Sequence, residues 1–350
     1  MNAIVNSPRP AARVAPHPTH VLKMLVKREM WESWSQFIRA PLVAGAVFLL
    51  FTIIGGGAGQ MAFLRHTSGE IEINGQRMQL SQVNWTELLS KASPSDMAQF
   101  HDVVNIATVF SGVWPLLVFG VVVFFYLLGS LSDDRRDRSI LFWKSLPVSD
   151  TAMVLSKLVT ALVVAPLLAL AAALVVMLGS GLIVTVLLAI NHANPFTLYW
   201  AQLDPLTILA GLVAWLPGYI LWALPTAGWL MLCSAWARNK PLLWAILVPC
   251  IAGLLVSWFD LLRIFNLESS WFWNNVVGRL LTSAWPGSNI ASTIDAHVGG
   301  TPNLHLDLPT VLGIVAPRAL YTSPSLWIGA VAGIAMIIAA IRLRRWNVEG

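Results

Sequence analysis

Charge is scarce in this 350-residue sequence: only 11% of its residues are Asp, Glu, Lys or Arg, while 57% are hydrophobic. That balance excludes an ordinary soluble domain and points to an integral membrane protein. Strand-like alternation over membrane-length segments is also missing, which excludes a barrel and leaves helices as the spanning element. Cysteine is limited to Cys233 and Cys250. Both fall in apolar runs with no CxxC spacing, so they read as small packing residues, not as a metal or redox site. Residues 1–19 lack the apolar core of a secretion signal and are expected to form a disordered cytoplasmic tail.

Several chemistries are missing as well. No GxxxxGK[ST] occurs, and the cluster Gly55-Gly56-Gly57-Ala58-Gly59 has no Lys-Ser/Thr after it, so it is expected to serve helix packing and not phosphate binding. HExxH is absent, and the apolar runs hold no Ser-Lys or Asp pair of the kind an intramembrane protease needs. His297 and His305 have no third ligand at useful spacing and read as a surface pair. A catalytic, cofactor or metal site is therefore not expected in this chain. No acid lies at the middle of a run, which counts against a proton- or sodium-driven carrier. Asp260, at the end of one run, is expected to pair with Arg263 at the interface.

What the sequence has in abundance is long apolar runs, at 41–62, 103–131, 155–190, 207–233, 241–262 and 325–342. Each can cross a hydrocarbon core, which needs about 20 residues. The third is over-long, but splitting it would leave no polar turn at the break and would put Arg238 and Lys240 on the outside. One helix, bent at Pro166 or at Gly179-Ser180-Gly181, is expected. Lys23, Lys27, Arg28, Arg39, Arg135, Arg136, Arg138, Lys144, Lys157, Arg238, Lys240, Arg342, Arg344 and Arg345 then share one side, the cytoplasm by the positive-inside rule. The net charge of +5 is thus mostly a topology signal and gives no reason to expect nucleic-acid binding. The expected fold is an all-α polytopic domain over 41–342 with six spans, both termini cytoplasmic and a cytoplasmic tail at 343–350.

Three segments carry further information. Residues 20–40 place Val21, Leu22, Leu25, Val26, Met30, Trp34, Phe37 and Ile38 at spacings of three and four, with Lys23, Lys27, Arg28 and Glu32 mainly on the other face. This predicts an amphipathic helix in the interface, serving either as a membrane anchor or as a partner-docking element. In the external loop 63–102, Asn74-Gly75 predicts a hairpin with Glu72 opposite Arg77 and Ile71 opposite Met78. Residues 85–91 read as helical, and Pro94-Ser95-Asp96 as a helix start. The external segment 263–324, rich in Trp271, Trp273 and Trp285, reads as short helices dipping into the outer interface.

The charged stretch Ser132–Asp150 holds four acids and four bases between two of the longest apolar runs. Ser132 is the expected N-cap, Asp133 and Asp134 suit the positive end of a helix dipole, and Pro147 stops the helix. Ser149 then caps the next helix, with Val148 and Met153 as a hydrophobic staple. This wording, DDRRDRSILFWKSLPVSD, together with its place between spans two and three and after an amphipathic helix, resembles the permease subunit of type-2 ATP-binding-cassette (ABC) exporters. The resemblance implies a coupling helix over 132–150 in which Asp134, Arg135, Arg136, Asp137, Ser139, Leu146 and Pro147 contact a separate nucleotide-binding subunit. It also implies that the interface helix, with Lys23, Lys27, Arg28, Trp31 and Trp34, leans on that subunit and on the bilayer. ATP and Mg would be bound by that partner, and a second permease subunit, identical or different, would complete the dimer in a bacterial inner membrane. A non-transporting anchor that recruits a cytoplasmic partner is the alternative, with an ion-coupled carrier behind it.

Overall fold

The computed structural model describes residues 18–67, 70–73, 76–79, 92–136, 148–237, 239–262, 268–288 and 318–346. Six helices among them are long and apolar enough to cross a bilayer: Ser35–Ala62, Pro94–Gly129, Asp150–Ile190, Pro195–Trp236, Pro241–Leu261 and Pro324–Arg345, here spans 1 to 6. The protein is a multi-pass, α-helical membrane protein. Its described strands are β1 (Glu70–Ile73) and β2 (Gln76–Gln79), which pair antiparallel with Glu72 opposite Arg77 and Ile71 opposite Met78. Asn74-Gly75, the helix expected at 85–91, His297 and His305 lie outside the described residues.

Local chemistry accounts for where the helices start. Ser93 and Asp96 form a reciprocal capping box around Pro94, so span 2 begins nine residues before its apolar run. The Ser149 hydroxyl accepts from Ala152 N at 3.1 Å and starts span 3. Pro205, Pro241 and Pro324 each open a helix, where the missing N–H costs nothing. Span 3 is one helix, and its irregularity is a π-type turn at Thr160–Val164. Pro166, two residues on, cannot donate backwards and crowds the preceding turn, and the wider turn accommodates both effects. At Gly179-Ser180-Gly181 the helix stays regular.

Helix α1 (Pro18–Glu32) runs almost directly into span 1 through a second π-type turn, Ser35–Arg39. It packs on the start of span 3, with Leu25, Glu29 and Ser33 buried. The core of the domain is made by spans 2, 3, 4 and 6 around Phe119, Val123, Leu127, Val154, Leu230 and Met231. Spans 4 and 6 approach most closely, with Gly228 and Gly333 in backbone contact: a side chain on Gly228 would strike the Gly333 carbonyl, and one on Gly333 the Leu224 carbonyl. Glycine is needed there so that two backbones can meet. The cluster at 55–59 behaves differently from expectation. Gly56 packs on Leu187, whereas Gly55, Gly57 and Gly59 face open space, because that part of span 1 turns its other sides away from the bundle.

The external segment reaches deeper than the interface. Residues 269–282 form a continuous helical rod beside span 5, where Asp260 Oδ2 accepts from Ser269 N and Trp273 Nε1 donates to Ser257. Arg263, the partner expected for Asp260, lies outside the described residues. The rod ends with Ser283 bonded to Thr226 and the Ala284 carbonyl accepting from Tyr219. Thr226 is ten residues from the inner end of span 4, about 15 Å at 1.5 Å per residue, so the rod reaches the middle of the domain. Exchange of Gly228 for Leu should lower the unfolding midpoint of the purified protein by several degrees, through overpacking of about 1–3 kcal/mol. Gly57→Leu should leave it unchanged; equal midpoints for the two variants in a detergent melt would contradict the glycine contact.

Candidate functional site

The described part of the charged segment is the single turn Ser132–Arg136. Ser132 does not cap it as the sequence suggests. Its hydroxyl turns back to the Leu128 and Gly129 carbonyls, and Ser234 of span 4 accepts from the backbone N–H groups of both Leu131 and Ser132, at 3.0 and 2.9 Å. A side chain about a hundred residues away therefore satisfies two backbone N–H groups at the point where span 2 ends and the turn begins.

The next residues point inward. Arg135 donates to the carbonyl oxygens of Ser234, Ala235 and Ala237, the unsatisfied end of span 4, so its cation meets the negative end of that helix. Burial, and after it the charge of Arg344, pull the Arg135 guanidinium below its ordinary pKa. An arginine remains protonated even so. Asp134 is 9% exposed and lies between two cations, with Oδ1 3.4 Å from Lys157 Nζ and Oδ2 3.2 Å from Arg344 Nη1.

Lys157 extends the network. Its ammonium is 3.2 Å from Glu29 Oε1 on helix α1, and Tyr126 of span 2 donates to Glu29 Oε2 at 3.0 Å. On the other side, Arg344 Nε is 3.3 Å from Asp150 Oδ1 at the start of span 3. Glu29, Lys157 and Arg344 are each 5% exposed or less. Four elements thus meet in one chain of alternating charge: helix α1, the inner end of span 2 with the turn that follows it, the start of span 3, and the inner end of span 6. The inner end of span 4 joins through Arg135 and Ser234.

Asp134 and Arg135 are turned into the bundle: Asp134 is buried between two cations, and the part-buried Arg135 grips the carbonyls at the end of span 4. Arg136 is exposed, and Asp137, Ser139, Leu146 and Pro147 lie outside the described residues. On helix α1, Lys23, Lys27, Trp31 and Trp34 are exposed, with Lys27 Nζ 5.1 Å from the Trp31 ring centre. Arg28 is part-buried and bonds Glu32 at 2.9 Å. Neither Glu29 nor Arg344 was singled out from sequence. Glu29 did carry a signal, since it falls four residues after Leu25 and is an acid on the apolar face of the helix.

Cys233 is buried and Cys250 half-buried, both free. Among the described residues no group of three metal-ligating side chains comes together. No protein-family model, curated protein or solved structure matches this chain. Replacing Lys157 with Met should destabilise the fold by about 3–5 kcal/mol, because Glu29 and Asp134 lose the cation between them. Combining it with Glu29→Gln and Asp134→Asn should recover much of that loss. Equal destabilisation of the single and triple variants in denaturant melts would show that the buried charges are not coupled.

Proposed function

We propose that this chain is the membrane permease of an ABC exporter, moving a substrate out of the cytoplasm or inner leaflet with energy from ATP hydrolysed on separate nucleotide-binding subunits. The observation that carries this reading is the fastening of the charged segment's first turn to four other elements by buried ion pairs and helix-end hydrogen bonds. Such a joint gives a soluble partner leverage: a force applied from Arg136 onward reaches helix α1 and spans 2, 3, 4 and 6 together, because separating them would strand buried charges. An anchor that only recruits a partner has no need of a joint that reaches the core of the bundle.

In this reading Arg136, Asp137, Ser139, Leu146 and Pro147 meet the partner, while Asp134 and Arg135 transmit its motion. The exposed face of helix α1, with Lys23, Lys27, Trp31 and Trp34, is shared between the partner and lipid headgroups. ATP and Mg belong to the partner, and two permease chains enclose the path. The partner's cycle then alternates access between the two sides by shifting the balance between two arrangements of the spans.

The test uses this chain co-expressed with its candidate ATPase. Arg136→Glu with Leu146→Asp should abolish co-purification, or cut the ATPase activity of the complex in lipid vesicles by at least about tenfold, equivalent to 1.4 kcal/mol, while the protein still folds. Unchanged assembly and activity would overturn the contact. Assembly with no ATP-dependent movement of any cargo across vesicles would favour the anchor instead.

A further inference from the structure

Span 5 carries a proline within its apolar run, and the bond that this residue removes divides the helix in two. Pro249 has no N–H, so the carbonyl of Ala245, four residues earlier, has no donor within its own helix. In hydrocarbon a stranded carbonyl is costly, and a neighbouring helix must supply the missing bond. Trp229 of span 4 does so: its Nε1 donates to Ala245 O at 2.9 Å. We propose that residues 241–248, the inner half of span 5, form a gate that swings about Pro249 and is latched shut against span 4 by the Trp229 indole. Its use as a cargo entrance rests on the exporter reading, whereas the hinge and the latch do not.

The two halves are held differently. Beyond Pro249, the Trp273 ring lies on Gly253, where a Cβ would approach it to 2.8 Å, and its Nε1 donates to Ser257 at 2.9 Å. Asp260 Oδ2 also accepts from Ser269 N at 3.1 Å. These contacts fasten the outer half to the external rod, and the rod in turn is bonded to span 4 at Thr226 and to span 6 at Ser325. Before Pro249 the hold is slight. Ala245 is fully buried, but Leu242, Leu243, Trp244, Ile246 and Leu247 are each at least 40% exposed, and the Trp244 ring meets Trp236 edge-on. Little apolar surface therefore fixes residues 241–248 to the bundle, and the Trp229 bond lies at the middle of that half. The missing helical bond between residues 249 and 245 makes this the point at which span 5 bends most easily.

The latch sits where interfacial water and the charged segment both act on it. Ala245 is four residues from the inner end of span 5, about 6 Å by helical rise, so its carbonyl meets water when this half swings outward. Exchanging one such bond for water is nearly neutral, whereas parting the clamped elements strands buried charges. The drive reaches the gate through the end of span 4. Arg135 donates to Ala237 O at 2.9 Å, four residues before span 5 begins, so a pull on the turn at Ser132–Arg136 is delivered to the base of the gate.

The test uses the purified full-length chain in phosphatidylcholine nanodiscs, without any ATPase, carrying Cys233→Ala, Cys250→Ala and a pair of spin labels at exposed positions. Labels on Leu155→Cys of span 3 and Leu243→Cys report on the gate, and labels on Leu155→Cys and Leu254→Cys report on the outer half. Trp229→Phe keeps a ring and removes the donor. It should shift or broaden the inner distance by about 4 Å, the swing that a ~20° bend gives at the end of a half-helix ~12 Å long, and leave the outer distance unchanged. Pro249→Ala restores a helical donor to Ala245 and should hold the inner distance narrow with or without the indole. An inner distance unmoved by Trp229→Phe, an equal change in both halves, or a double variant as broad as Trp229→Phe alone would overturn the hinge. In the complex with its candidate ATPase, Pro249→Ala should slow ATP-dependent export at least about tenfold, or 1.4 kcal/mol, and an unchanged rate would overturn the gating role. The expected label distances in a chain that exports nothing would instead refute the exporter reading while leaving the hinge in place.

Discussion

The pairing of Lys157 with Glu29 and Asp134 is the constraint on which the inner half of this protein depends. An ion removed from water loses several kcal/mol, and the loss is recovered only when partners sit at hydrogen-bonding distance in a fixed geometry. Glu29, Asp134 and Asp150 are matched by Lys157, Arg344 and Arg28, and each charge neighbours the opposite sign. Because these six come from helix α1, the turn after span 2, span 3 and span 6, no one of those elements can slide by a helical turn without leaving a charge buried and alone. The network contributes little to stability compared with an apolar core. What it adds is register.

The rest of the bundle is held by different physics at each depth. At mid-membrane, where a charge would cost more, Gly228 and Gly333 bring spans 4 and 6 into backbone contact, and the Thr226–Ser283 hydroxyl pair ties the external rod to span 4. Arg279, on that rod, donates to the Ser325 carbonyl and lies 4.2 Å from the Trp222 ring centre. Toward the outer end a neutral amide does the joining: Asn105, fully buried, donates to the His101 and Gln202 carbonyls and accepts from Asp204 N, which ties span 2 to the outer part of span 4. The sequence of devices follows the dielectric, with ion pairs near the inner headgroups, close packing in the middle and amide bonds outside.

What could be read from sequence was what is local or periodic. Six spans follow from apolar length, the cap at Ser149 from its own neighbours, and the pairing of Glu72 with Arg77 from a two-residue turn between them. The joint itself was not legible, because its bonds join residues 128 and 210 positions apart. Arg342, Arg344 and Arg345 look alike as topology signals, and only packing decides that Arg344 turns inward while Arg342 and Arg345 stay exposed. Asp133 and Asp134 are as hard to separate, since a helix dipole favours both and burial chooses one. Ser132 shows the opposite failure: a good local cap residue donates its hydroxyl back to the Leu128 and Gly129 carbonyls, while its own N–H goes to Ser234 of span 4.

The distribution of these bonds sets which parts share a load. Helix α1 and spans 2, 3, 4 and 6 are joined at the inner end by buried charges and by the Arg135 grip on span 4, so a displacement of the turn at Ser132–Arg136 must move all of them or break a buried ion pair. Span 5 takes no part in that network. Its described side chains face mostly outward, and its polar ties to the bundle include the Trp229 indole donating to Ala245 O and the Trp273 indole donating to Ser257. Each such bond is worth about 1 kcal/mol net, against about 3–5 kcal/mol for stranding one buried charge. Span 5 can therefore shift relative to the clamped set at lower cost than the members of that set can shift against one another, and any opening driven from the charged segment should appear between span 5 and span 4 before it appears anywhere within the clamped set.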